Sequence, residues 1–232
     1  MTHTHHRRGS RESLQKDFVV LAMIDREAEA QHAYGGPLEA RVEKLLRILE
    51  RHGPVALLAR ASGRRLRYMR WWEPRMDSGI HRAASLGEIV HSEELPDEGL
   101  THAVYTRGEA VEGVLRELRE ADLGISIVVS GVFDDVFDIC RRAGTEPHTV
   151  NMSLGTWGRA QLMPRGAVLE LCTMCGHAMI SSRLAEAMID RVRRGALAPE
   201  EAAVELGKQC TCNIFNVERA TEIIRNAAAG GA

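Results

Sequence analysis

THAVYTRGEAVEGVLRELREADLGISIVVSGVFDDVFDICRRAGTEPHTVNMSL, residues 101–154, is the stretch that decides how the fold is read. Thr101 to Thr106 is rich in β-branched and aromatic residues and reads as a strand. Thr106 and Glu109 then stand at capping-box spacing, and Val111, Val114, Leu115 and Leu118 form a helical stripe behind them. A second strand, Ile125 to Ser130, feeds a helix with Val132, Val136, Ile139 and Cys140 on or near one face, closed by Gly144. A third strand is expected from about His148 to Leu154. The order β-α-β-α-β implies parallel strands joined by right-handed crossovers. The expected fold class is therefore α/β: a parallel-stranded sheet with flanking helices, followed by a C-terminal, mostly helical segment that carries the cysteines.

In such a sheet the ligand crevice lies beyond the carboxyl ends of the strands. Those ends carry Arg107, Ser130 and, past the third strand, Trp157, which are the candidate substrate-binding residues. Helix N-termini at the first two ends would offer backbone N–H groups to an anion. No G-x-G-x-x-G or P-loop pattern occurs there, so a dinucleotide or nucleoside triphosphate is not indicated. Serine and glycine at strand ends are also ordinary turn chemistry.

Upstream, Phe18 to Ile24 reads as a buried strand, and Leu38, Val42, Leu45, Leu46 and Leu49 as an amphipathic helix stopped by Gly53 and Pro54. From Val55 to about Trp72 the pattern is a hairpin turning at Ser62 and Gly63. It interleaves Arg60, Arg64, Arg65, Arg67 and Arg70 with Trp71 and Trp72, a mixture that can stack on bases and hold phosphates. An alternating strand also puts long charged side chains on its wet face, and the reading preferred here is a solvated strand face. Residues 1–15 are polar and basic and read as a mobile tail; His3, His5 and His6 within it could bind a stray metal ion. The organisation is then a tail (1–15), an α/β region with a hairpin (16–100), a βαβαβ substrate-binding region (101–160) and a cysteine-rich cluster-binding region (161–232).

The 232 residues are 44% apolar and 27% charged with a formal net charge of −2, values of an ordinary globular protein that exert no general pull on nucleic acid or anionic lipid. No apolar run approaches bilayer length and the N-terminus lacks a signal-peptide core, so a cytoplasmic protein with no membrane association is expected. In a reducing compartment, clustered cysteines are better explained as metal ligands or redox centres than as bridges.

That clustering is the clearest chemical signal in the chain. Cys172 and Cys175 form a C-x2-C pair, Cys210 and Cys212 a C-x-C pair, and two expected helices between them can return the chain to its starting point. Cys140 falls on a helix stripe and reads as a core residue. Four thiolates suit tetrahedral zinc, although the second pair is not a matching knuckle. An iron–sulfur cluster accepts ligands from loops of differing shape, since each thiolate holds a different iron atom, and the uneven spacing suits it better. A redox dithiol is the third choice.

A pure electron carrier would not need the large α/β layer, so an enzyme is expected: a [4Fe–4S] lyase acting on a small anionic substrate. In that reading Cys175, Cys210 and Cys212 hold the cluster, with Cys172 as a fourth candidate ligand. The open iron polarises a hydroxyl, carboxylate or sulfur of the substrate in an elimination, hydration or desulfuration, and His177 moves a proton beside it. The alternatives are a redox [4Fe–4S] reductase or electron carrier, and a zinc-stabilised regulatory or binding protein. Nucleic acid is not an expected partner, and a homodimer is compatible with the composition.

Overall fold

The computed structural model describes residues 7–24, 35–61, 64–72, 77–78, 81–90 and 100–230. His3, His5 and His6 lie outside the described residues, as do Ser62 and Gly63 of the hairpin turn. Five long strands make the sheet: β1 (Phe18–Met23), β2 (Ala56–Ala61), β3 (Arg64–Met69), β6 (Leu100–Tyr105) and β7 (Ser126–Ser130). Their order is β3-β2-β6-β1-β7, and every neighbouring pair among them is antiparallel. Two short strands, β4 (Asp77–Ser78) and β5 (His81–Ala83), extend the sheet past β3, with β5 parallel to β3.

The expected parallel sheet is therefore wrong, for an identifiable reason. β6 and β7 do run in the same direction, as a β-α-β unit requires. They are not neighbours, because β1 lies between them, pairing Leu21 with His102 on one side and with Val128 on the other. β1 is apolar on both faces and buried from Phe18 to Ala22, so the chain's most water-averse strand takes the position with a neighbour on each edge. Chain order fixed the direction of β6 and β7; burial decided what lies between them.

Side chains of the sheet alternate between two helical layers. Phe18, Val20, Leu57, Ala103 and Tyr105 face the layer of α2 (Leu38–Arg51), α4 (Gly108–Ala121) and α5 (Phe133–Ala143), whose stripes Val42/Leu45/Leu46/Leu49 and Val111/Val114/Leu115/Leu118 match the sequence reading. Val19, Ala56, Met69 and Val104 face the opposite layer, made of α6 (Gly166–Met174), α7 (Ser182–Arg193), α8 (Pro199–Lys208) and α9 (Val217–Ala228). Two short helices, α1 (Arg11–Leu14) and α3 (Leu86–Val90), and a single 3-10 turn at Ala160–Leu162 complete the described elements.

Further differences are local. Val168 to Leu171, strand-like in isolation, lies within α6, where Leu171 and Met174, three apart, are buried together; a short apolar run does not reveal its period. Arg107, not Thr106, precedes α4, and it makes no side-chain cap bond. Residues 11–14, assigned by composition to the tail, form a helical turn capped by Ser10. The third strand of the βαβαβ unit is absent: residues 147–158 join no ladder. Gly144 does close α5, at φ 71°, and Asn216 caps α9 by accepting from the Arg219 N–H at 3.0 Å.

Residues 7–17 are anchored by charge. Arg219, almost wholly buried, donates to Asp17 at 2.8 Å, to Glu170 at 2.9 Å and to the Arg8 carbonyl at 2.6 Å. Arg7 makes a second ion pair to Asp17, whose side chain is inaccessible to solvent. This network ties the segment before β1 to α6 and α9.

Candidate functional site

The cysteines sit at the two ends of the α7–α8 hairpin. α6 stops at Cys175, and the chain makes an exposed turn through Gly176, His177, Ala178 and Met179. Ala178 is in the left-handed region at φ 53°, and its N–H returns to the Cys175 carbonyl at 3.2 Å. Ser181 then caps α7, accepting from the Leu184 N–H. The return helix α8 starts with Pro199, and Glu201 accepts from the Ala198 N–H at 2.9 Å, a geometry legible in its proline-then-acid sequence. After α8, Cys210 N–H bonds the Gly207 carbonyl and Asn213 N–H the Cys210 carbonyl, both at 3.0 Å. These bonds wind residues 210–213 into a tight loop.

The hairpin brings three of the four thiols together. Cys175 and Cys210 are fully buried and hydrogen-bonded to each other, and Cys210 is hydrogen-bonded to Cys212. His177, from the exposed turn, places Nδ1 2.7 Å from Cys212 Sγ. Backbone N–H groups of His177 and Met179 point at the Cys175 sulfur, and that of Ile214 at the Cys210 sulfur. Cys172 lies one helical turn before Cys175, half-buried, with the Glu186 carboxylate nearby.

The surroundings raise the pKa of three of these thiols, Cys172, Cys175 and Cys210. Cys175 is pushed up by its bond with Cys210 and by burial. For Cys210 the largest influence, the bond with Cys175, lowers the pKa; the bond with Cys212 and burial outweigh it, and the net shift is upward. Burial and then the Glu186 charge raise Cys172. A metal at this position would have to displace thiol protons, so its binding would release acid. Among the described residues, no group of three or more His, Cys, Asp or Glu side chains already stands at metal-holding geometry. The thiols touch one another, and a bound metal would have to part them.

Sequence reasoning missed what shapes the loop. Arg67, read as part of a solvated strand face, is buried and points into the C-terminal layer. Its guanidinium donates to the carbonyls of Cys210 at 2.9 Å and Gly207 at 3.2 Å and to Asn213 Oδ1 at 3.3 Å, and it lies over the Trp72 ring. Asn213, left-handed at φ 54°, donates in turn to the carbonyls of Leu57 and Tyr68, which face each other across β2 and β3. His102 on β6 donates from Nδ1 to the Cys212 carbonyl at 2.9 Å. The only available signal was parity: Arg67 and Met69 are two apart and share a face, and Met69 is plainly apolar.

The expected substrate residues stand elsewhere. Arg107 is exposed at the start of α4, five residues and roughly 15 Å of extended chain beyond His102. Ser130 ends β7, two strands from β6 and two residues past the row that holds His102. Trp157 is exposed, its Nε1 donating to the Leu154 carbonyl at 3.1 Å. None of the three converges on the cysteines. Cys140 is buried on α5 beside Ile139 and Ala143.

No protein-family model matches the chain, and comparison with the curated proteins and with the solved structures finds no match. Among the described residues, no helix is long and apolar enough to cross a membrane.

Proposed function

We propose that this chain is an iron–sulfur enzyme in which Cys175, Cys210 and Cys212 would hold a [4Fe–4S] cluster through three thiolates, beside the exposed turn that carries His177. Held there, the group would supply Lewis-acid chemistry toward a small anionic substrate, for an elimination, hydration or desulfuration. The observation that carries the reading is the convergence of three thiols from two separate loops, with Cys172 on the preceding helical turn and not in the chain of contacts. Amide N–H groups aimed at two of the sulfurs suit thiolate ligands, because such donors stabilise sulfur-borne negative charge. The Arg67 guanidinium beside the Cys210 carbonyl adds positive charge to the same loop. His177, with Nδ1 2.7 Å from Cys212 Sγ, is the residue assigned to move a proton to or from the substrate. Arg107, Ser130 and Trp157 have no part in this site.

One observation favours a second reading. His177 Nδ1 beside Cys212 completes a Cys3His donor set, which is suited to structural zinc. In such a protein Arg67, turned inward, and Arg70, ion-paired to Glu218, are two arginines of the hairpin that are not offered to a polyanion. Anaerobic purification separates the two. The cluster gives brown protein with about four irons and four sulfides per chain, bleached by air. Its electron-spin signal should change when citrate is added to reduced protein. Colourless protein with one zinc per chain would establish the second reading in place of the first.

A further inference from the structure

β7 ends the strand order, so among the described residues its outer edge carries no strand. Proteins usually guard such an edge with lysine, proline, a bulge or a covering element. β7 reads Ser-Ile-Val-Val-Ser, has none of these residues, and leaves Ile127, Val128 and Val129 only half-buried.

The chain also holds a segment with the sequence pattern of a strand that joins no sheet. Residues 145–165 connect α5, on one face of the sheet, to α6, on the other, so they must pass around an edge. Within them Val150, Asn151, Met152, Ser153 and Leu154 alternate apolar and polar, the period of a half-buried strand. Yet Val150, Met152 and Leu154 are all exposed, Leu154 at 84%, and so are Trp157 at 82% and Leu162. Residues 145–153 and β7 both line one groove of about 1050 Å³, and no ladder pairs them. Phe133 and Phe137, stacked with centroids 5.7 Å apart, stand partly exposed at its margin.

From this we infer that the chain forms a twofold homodimer by arm exchange, the Val150–Leu154 segment of each copy adding as a strand to β7 of the other. The three exposed apolar side chains of the arm and the exposed Trp157 and Leu162 that follow it, with Phe133 and Phe137, present on the order of 800 Å² per copy, which is what each partner contributes to a standard stable interface. A patch of that size is more than a monomer ordinarily leaves in water. The exchange is self-complementary, because each copy supplies one bare edge and one strand-patterned arm, so two copies satisfy both and the assembly closes. It is independent of the metal reading, since no cysteine of the cluster lines the groove.

The test uses the full chain. Light scattering should give twice the 25.7 kDa chain mass at micromolar concentration. Leu154→Ser with Trp157→Ser, both at exposed positions, should raise the dimer dissociation constant roughly a hundredfold or more, with the circular dichroism spectrum unchanged. A photoreactive phenylalanine at Met152, in protein co-expressed with an isotopically heavy copy, should give adducts to residues 126–130 that join light and heavy chains. A monomer mass, a dimer indifferent to the double substitution, or adducts confined to a single chain would each overturn the proposal; the last would mean that the arm closes on its own β7.

Discussion

The two helical layers of this protein are held to one sheet by different means. Toward α2, α4 and α5 the contact is almost wholly apolar, and its main polar elements are a Tyr105 hydroxyl on the Leu49 carbonyl and an Arg41 guanidinium on the Leu123 carbonyl. Toward α6–α9 the sheet and the chain leading into it send Arg67, His102 and Asp17 into the layer, where they meet Cys210, Cys212, Asn213, Asn216 and Arg219. Apolar packing is non-directional and tolerates exchange of similar shapes. Buried hydrogen bonds and ion pairs fix one geometry, because each lost partner leaves a desolvated polar group behind. The layer that holds the cysteines is thus the one whose backbone is pinned carbonyl by carbonyl.

The largest contrast should appear in the cysteines. Cys175→Ser, Cys210→Ser or Cys212→Ser should abolish metal content, whereas Cys140→Ser, in the apolar layer, should leave it unchanged and Cys172→Ser should retain the cluster. Elemental analysis of anaerobically purified variants decides this, and metal lost from Cys140→Ser but kept in Cys210→Ser would invert the assignment of the two layers.

Next comes the buried ion network. Asp17→Ala leaves Arg219 and Arg7 without their shared carboxylate and should cost about 3–5 kcal/mol of stability in urea titration. A cost below about 1 kcal/mol would show that the network contributes little. A smaller effect is expected from crowding the approach of α8 to β3. A Cβ on Gly207 would lie 2.5 Å from Met69 Sδ and 3.2 Å from Phe215, so Gly207→Val should destabilise by about 1–3 kcal/mol and lower metal occupancy by shifting the loop that begins there.

The smallest effect belongs to the apolar layer and depends on pH. Burial raises the Tyr105 hydroxyl above its ordinary pKa, so the folded protein keeps this proton where the unfolded chain loses it. The stability this provides is complete below about pH 10, the unfolded value, and falls above it by up to about 1.4 kcal/mol per pH unit. Tyr105→Phe should cost about 1 kcal/mol near neutrality, through the lost bond to Leu49, and should remove that part of the alkaline slope. Equal slopes in the two proteins would show that the hydroxyl is not the group responsible.

Local order was legible in residues 38–49, 111–118 and 199–201, since spacing and caps act over a few positions and need no distant partner. The cysteine site was half legible. The C-x2-C and C-x-C pairs announced themselves, and a helical hairpin was enough to bring their ends together. Which thiols would meet was another matter: Cys172 and Cys175 are one helical turn apart on α6, and the turn after Cys175 swings His177 toward Cys212. Arg67 was misread because a charged residue on an alternating strand faces water unless the facing layer offers carbonyls, and that layer comes some 140 residues later in the chain.

By itself the sequence determined most of the longer helices (though not α6), the five long strands, the shared direction of β6 and β7, and the placing of two cysteine pairs at the ends of one hairpin. All of these follow from interactions between residues close in the chain. Only the tertiary structure decided that β1 would separate β6 from β7, that Val150–Leu154 would stand off as an unpaired arm, and that Arg67 would turn inward to hold the Cys210 loop. Each of those outcomes is a competition for burial among segments far apart in sequence, and its winner is set by which surfaces remain uncovered once the rest has packed.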